Sequence, residues 1–184
     1  MPNYATFSLQ NNAVEFKDDD YETPANVLKD LLPFITDHKI IYDPFYCNGL
    51  VIKEWNDLNK ECINEKKDAF NREHPDYDIM ISNIPFSIKD KCVKLALELE
   101  KPFMLLMTIE CMELAFNLDK PFMLLMPIAA LGSKWIKKYF DRLQFIIPRS
   151  RYNFIKEGVI TTGCWFDTMW VCYGLNLEQN IIKL

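Results

Sequence analysis

Asp78-Ile79-Met80-Ile81-Ser82-Asn83-Ile84-Pro85-Phe86 is the stretch that decides the fold class. A short apolar run closed by a proline reads as a buried strand, and it carries Asn-x-Pro-Phe to its carboxyl end. Open α/β sheets bind their ligands beyond that end of the strands. Upstream, a second apolar run, Ile40-Ile41-Tyr42, leads into Asp43-Pro44-Phe45-Tyr46-Cys47-Asn48-Gly49. Strand-like and helix-like segments alternate outward from these two. The spacing predicts helices at about 24–35, 49–58, 88–99 and 132–141. It predicts strands at 40–43, 61–65 and 78–82, one starting near Pro102, and a β-rich tail at 145–148 and 165–175. That alternation is the mark of an α/β sheet with crossover helices.

The chain has 184 residues, enough for one domain with a proper core. Residues 1–19 lack convincing periodicity and read as a loose arm, leaving 20–184 as a single domain. No apolar run is long enough to span a bilayer, and the start does not read as a secretory leader, so the chain reads as intracellular, with no membrane partner. Six scattered cysteines without a Cys-x-x-Cys pair, and only two histidines, match none of the common zinc spacings and point to reduced thiols in the core. Gly49 is the only glycine before residue 132, so that stretch holds neither a dinucleotide fingerprint nor a phosphate-cradling P-loop. A net charge of −5 argues against strong non-specific binding to duplex DNA. Lys134, Lys137, Lys138, Arg149 and Arg151 are the best candidates for phosphate contacts. For the three lysines, a solvated helix face is an equally good account.

Asn83-Ile84-Pro85-Phe86 and Asp43-Pro44-Phe45-x-x-x-Gly49 together resemble motifs IV and I of the S-adenosylmethionine-dependent amino-methyltransferases. The similarity is to small phage- and giant-virus-type enzymes that methylate adenine N6. Motif IV of that family reads (Asn/Asp/Ser)-Pro-Pro-(Tyr/Phe/Trp), so Ile84 stands where the family has its first proline. Motif I reads Asp-Pro-Phe-x-Gly-x-Gly, so Cys47 stands where the family has its first glycine. Thr23-Pro24 resembles a Thr-Pro element of the same family, and the three segments come in the family's order. The resemblance spans most of residues 20–175. It implies a Rossmann-like class I sheet, mostly parallel, finished by a C-terminal antiparallel hairpin.

The implied chemistry is methyl transfer to an exocyclic amine, most naturally adenine N6 in DNA or RNA. Such an amine is a poor nucleophile because its lone pair is delocalised into the ring. Accepting both its hydrogens draws the nitrogen toward sp3 geometry and offsets the charge that develops during attack. The resemblance gives this task to the amide oxygen of Asn83 and the backbone carbonyl of Ile84. Pro85 would stiffen the turn, and Phe86 would stack on the base, worth roughly 1–3 kcal/mol. Ser87, Arg151 and Phe154 are implied near the substrate. A duplex target would have to be flipped into the pocket. So little chain is left for target recognition that specificity should be weak or supplied by a protein partner.

For S-adenosylmethionine itself the resemblance implies Thr23, Pro24, Asp43, Pro44, Phe45, Gly49, Glu65, Asp68 and Phe70. Gly49 lets the backbone approach a ligand at a helix start. Glu65, at the end of the next strand, suits paired ribose hydroxyls. Asp68 and Phe70 suit the amine and ring of an adenine. Several of these residues have ordinary structural readings too. Asp43-Pro44 starts loops, Glu65-Lys66-Lys67-Asp68 is a plausible solvated turn, and Thr23-Pro24 is sound helix-start chemistry, with Thr23 as the N-cap. Two other functions stay open: methylation of a protein side-chain amide such as glutamine, and a methyltransferase fold that has lost catalysis and serves as a binding module.

Residues 95–107 recur as 114–126, offset by nineteen, with ten of thirteen positions identical. Two copies do not make a solenoid. The expectation is a tandem duplication that adds one helix–strand unit. The surplus strand has three possible fates: an edge of the sheet, a pairing with another chain, or a burden on the fold.

Overall fold

The computed structural model describes residues 21–106, with Phe86 by its backbone, then 116, 120–156, 158–160 and 167–184. The arm expected at 1–19 lies outside the described residues, as do residues 114, 115 and 117–119 of the second repeat copy.

In chain order the elements are β1 (Tyr21–Glu22), α1 (Ala25–Leu31), β2 (Ile40–Tyr42), α2 (Leu50–Asp57), β3 (Glu61–Ile63), β4 (Ile79–Asn83), α3 (Lys89–Glu98), β5 (Phe103–Leu106), β6 (Phe122–Pro127), α4 (Lys134–Tyr139), β7 (Gln144–Ile147), β8 (Ile155–Lys156), β9 (Val159–Ile160), β10 (Thr168–Tyr173) and β11 (Ile181–Lys183). The predicted helices are shorter than their sequence patterns, for local reasons. Pro33 has no N–H to continue α1, so the chain tightens into a 3-10 turn at Leu32–Phe34. Ser133 caps α4 by accepting from the Ile136 N–H at 3.2 Å, between 3-10 turns at Ile128–Gly132 and Phe140–Arg142. One expectation is corrected. Thr23 is not the cap of α1; Pro24 holds that position with extended backbone and no side-chain cap bond.

Eight strands form one sheet in the order β11-β7-β10-β6-β5-β4-β2-β3. The chain is therefore α/β with a mostly parallel sheet, in which β10 alone runs antiparallel to both its neighbours, β6 and β7. The last residues were expected to end on β10. They continue to β11, which pairs parallel with β7. A separate antiparallel sheet, β1-β8-β9, was not predicted. Among the described residues no helix is long and apolar enough to cross a membrane. Of the described cysteines, Cys62, Cys92 and Cys172 are buried and Cys47 is exposed.

Both faces of the central strands are covered. Met80, Phe103, Leu105, Phe122, Leu124 and Met126 pack into one cluster, and Ile79, Ile81, Met104, Leu106, Met123 and Leu125 into another. This covering decides the fate of the repeat. A Phe-Met-Leu-Leu strand is apolar on both faces, which suits a central parallel strand and would make an exposed edge prone to aggregation. The two copies lie side by side in the middle of the sheet, as β5 and β6. Phe103 pairs with Phe122, Met104 with Met123, Leu105 with Leu124 and Leu106 with Leu125. The sheet has gained a strand, and each residue pairs with its own duplicate.

Candidate active site at the carboxyl ends of the parallel strands

From β2 the chain crosses to β3 on one side and then returns to β4 on the other. Such a reversal opens a crevice beyond the carboxyl ends of the two central strands. Here those ends are Asp43-Pro44-Phe45 and Asn83-Ile84-Pro85, so the fold brings together the two motifs that sequence reasoning singled out.

Asp43 lies inside the protein, at 7 % exposure. Its carboxyl oxygen accepts from Ser82 Oγ at 2.6 Å and from the Phe45 N–H at 3.2 Å. Burial raises its pKa to about 7, against the lowering effect of those two hydrogen bonds. Asn64, also buried, donates to the Asp43 carbonyl at 2.9 Å and fixes β3 against β2. At neutral pH a large fraction of Asp43 therefore holds its proton. The side chain works as a buried strut across the crevice, with its hydrogen bonds directed into the protein.

Gly49 takes the left-handed conformation, φ +81°, at the start of α2. A Cβ there would come within 3.1 Å of the exposed Tyr46 ring, which could shift, so it is the left-handed backbone that favours glycine. Beside it, Asn48 donates to Glu22 Oε1 and accepts from the Leu50 N–H at 3.0 Å. Glu22 Oε2 is buried without a partner. One residue earlier, the Tyr21 carbonyl accepts from Asn83 Nδ2 at 2.7 Å. This bond fixes which end of the Asn83 amide is nitrogen, and so turns its oxygen the other way. Thr23 and Pro24 follow directly, which puts the Thr-Pro element next to both motifs.

Pro44, Phe45, Tyr46, Cys47, Asp68, Phe70 and Pro85 line one cleft of about 420 Å³ with Lys66, Lys67 and Ala69. The Phe45 and Phe70 rings stand 5.9 Å apart at its wall. Asp68 shapes the turn, accepting from the Phe70 N–H and from Asn71 Nδ2, both at 2.9 Å, and these bonds hold its pKa below the usual carboxylate value. Glu65 falls beyond the end of β3, which stops at Ile63 and not at 65 as expected. Its carboxylate pairs with Lys67 at 3.0 Å and with Arg72.

The remaining predicted residues are more dispersed. Ile84 is buried at 2 % exposure and packs in the core. Phe86 opens the 3-10 turn Phe86–Ile88; its stacking role rests on a side chain outside the described residues. Ser87 is exposed in the same turn. Arg151 pairs with Asp167 at 3.1 Å, beyond the ends of β7 and β10 and two or more strands from Asn83. Phe154 is half-buried against the core just before β8, the strand that pairs with β1.

Sequence reasoning missed Tyr21, Glu22, Asn48, Asn64 and Ser82. Ser82 carried a usable signal. It is a hydroxyl inside an otherwise apolar strand, and a buried hydroxyl needs a partner. Nothing local names that partner, which lies thirty-nine positions away.

No protein-family model matches this sequence. A search of curated proteins returns no match either. A functional reading has to come from the crevice itself and from the motif resemblance.

Proposed function

We propose that this chain is a methyltransferase-type domain with a Rossmann-like class I sheet. It holds S-adenosylmethionine in the cleft beside Phe45 and Phe70 and presents an exocyclic amine, adenine N6 in the first instance, to Asn83. One observation carries the reading: both motifs and the Asp68–Phe70 turn, far apart in sequence, converge on one crevice at the switch point of the sheet. The residues fit the cofactor. The cleft falls in the ordinary size range for a small-molecule site, about 300–1,000 Å³. It offers aromatic rings for an adenine and Asp68 as an acceptor for an amine. Gly49 presents a helix start without a Cβ.

The cofactor would supply an electrophilic methyl group. The chain's part is positioning. Asn83, held by Tyr21, aims its amide oxygen away from the β1 backbone, toward a hydrogen of the target amine. The carbonyl of Ile84 is the second acceptor, and Ile84's buried side chain anchors that turn in place of the family's proline. Asp43, braced by Ser82 and Asn64, sets the spacing between the two strand ends and uses one carboxyl oxygen, Oδ1, for both of its hydrogen bonds.

The same burial of Asp43 favours a second reading, a binding module built on this fold, because the resemblance had assigned that carboxylate to the cofactor. Calorimetric titration with S-adenosylmethionine separates the two. Saturable binding that Phe70→Ala weakens at least tenfold, in a variant that unfolds like the wild type, supports the proposal. Wild type that is well folded and shows no heat of binding would overturn it. Labelled cofactor offered with DNA, RNA or a protein extract then identifies the acceptor, and label on a protein amide alone would replace the nucleic-acid assignment.

A further inference from the structure

The two repeat copies are related in the structure by more than sequence. Phe103 and Leu105 lie in the same core cluster as their duplicates Phe122 and Leu124, while Met104 and Leu106 lie in the opposite cluster with Met123 and Leu125. Phe116 is the one described helical residue of the second copy. It is buried in the cluster that holds its counterpart Leu97, so both copies present this position to the same face of the sheet. The ion pairs repeat as well. Lys101 reaches back to Asp76 at 3.3 Å, three residues before β4. Its duplicate Lys120 reaches back to Glu100 at 3.5 Å, three residues before β5.

We propose that this nineteen-residue unit is a spacer, inserted whole into the middle of the sheet, and that the fold does not need it. With one copy removed, β4 meets the same Phe-Met-Leu-Leu edge that it meets now, and β10 keeps its present partner. With 97–115 removed, Lys120 inherits Asp76 and Pro121 still packs against Gly174, where a Cβ would come within 3.3 Å of it; with 103–121 removed, Lys101 keeps Asp76 and Pro102 takes the place of Pro121. Expelling one copy from the intact chain is a different matter. Each copy buries four large apolar side chains in its strand, and returning them to water is strongly unfavourable, so both stay in the sheet. Excision costs far less because the neighbouring copy fills the gap.

The spacer has a consequence for the carboxyl edge. It adds one strand spacing, about 4.8 Å, between the Asp43–Asn83 crevice and the Arg151–Asp167 pair beyond β10. The crevice lies wholly on the β4 side of the insertion, so excision leaves it intact and brings the far half of the edge closer.

Two excisions test this, one removing residues 97–115 and one removing residues 103–121. Their products differ only where the copies differ, at the position of Leu97 or Phe116 and two neighbours. The expected result is a single cooperative thermal transition in at least one variant, with the amides of Ile81–Asn83 protected from hydrogen exchange as in the full chain. Failure of both variants to fold cooperatively would overturn the proposal. So would a folded variant in which those β4 amides exchange freely, since β4 would then have lost its partner.

Discussion

At the scale of single residues the site turns on Asp43 and Asn83. The Asp43 carboxyl is buried, and its pKa is raised to about 7 by desolvation. Between about pH 4 and pH 7 the folded chain holds this proton while the unfolded chain has released it. Stability therefore falls as pH rises through that window, by up to ~4 kcal/mol from this group. His74 acts in the opposite sense, because burial and then Arg72 lower its pKa. Comparing wild type with Asp43→Asn cancels the histidine. Urea unfolding from pH 5 to 8 should show wild type losing about 2–3 kcal/mol relative to the variant, and parallel curves would refute the assignment. Asn83 tests the chemistry. Asn83→Ala removes an acceptor that matters only when the amine reacts, so methyl transfer should drop at least ~100-fold. Cofactor affinity should change by less than about threefold, because the cleft is lined by Phe45, Asp68 and Phe70, and full transfer by this variant would sink the role given to Asn83.

At the scale of elements, the duplicated strands make a prediction that ordinary cores do not allow. Leu105 and Leu124 are fully buried, at 0 % and 1 % exposure, in the same cluster and in register with each other. Leu→Ala at such a site typically costs about 2–5 kcal/mol, and the spread reflects how well each surrounding collapses. The two leucines share one cluster and pair with each other, and differ in the outer neighbour, Ser82 of β4 beside Leu105 and Val171 of β10 beside Leu124. Leu105→Ala and Leu124→Ala should therefore agree within about 2 kcal/mol in denaturant unfolding. A gap of several kcal/mol would mean that the two strands are not equivalent. The same elements show what the sequence could and could not reveal. Strands β2, β3, β4, β5, β7 and β10 and helices α2 and α3 were legible because apolar runs and amphipathic spacing are local signals. Strands β1, β8 and β9 were not, since two residues carry no period and their pairing is set by tertiary contact. The crevice was half legible. Asp43-Pro44-Phe45 and Asn83-x-Pro85 announce themselves, but the Ser82 and Tyr21 contacts that orient them span 39 and 62 positions. The place of the extra strand was hidden for a different reason. Identical segments give pattern reasoning no way to rank one over the other, and only the need to cover both faces sends both inside.

At the scale of the whole molecule, charge limits how a nucleic acid can be engaged. The chain carries a net −5, so long-range attraction to a polyanion is weak, and contacts have to come from the neighbourhood of the site. Four lysines stand there: Lys66 and Lys67 line the cleft, and Lys91 and Lys94 line a second groove that shares Asp68 and Phe70 with it. Two of them already face carboxylates, Lys67 with Glu65 at 3.0 Å and Lys94 with Glu98 at 3.8 Å. At most about four phosphates can then be neutralised. For a single strand each contributes about −0.7 to the slope of log affinity against log salt, so the slope should be no steeper than about −3. Fluorescence anisotropy with a short single-stranded oligonucleotide, titrated from low to physiological salt, measures it. Lys66→Ala combined with Lys91→Ala should flatten the slope by a further one to two. A measured slope near −6 would show that the nucleic acid tracks a surface well outside this crevice, and the site would then have to be sought beyond Phe70 and its lysines.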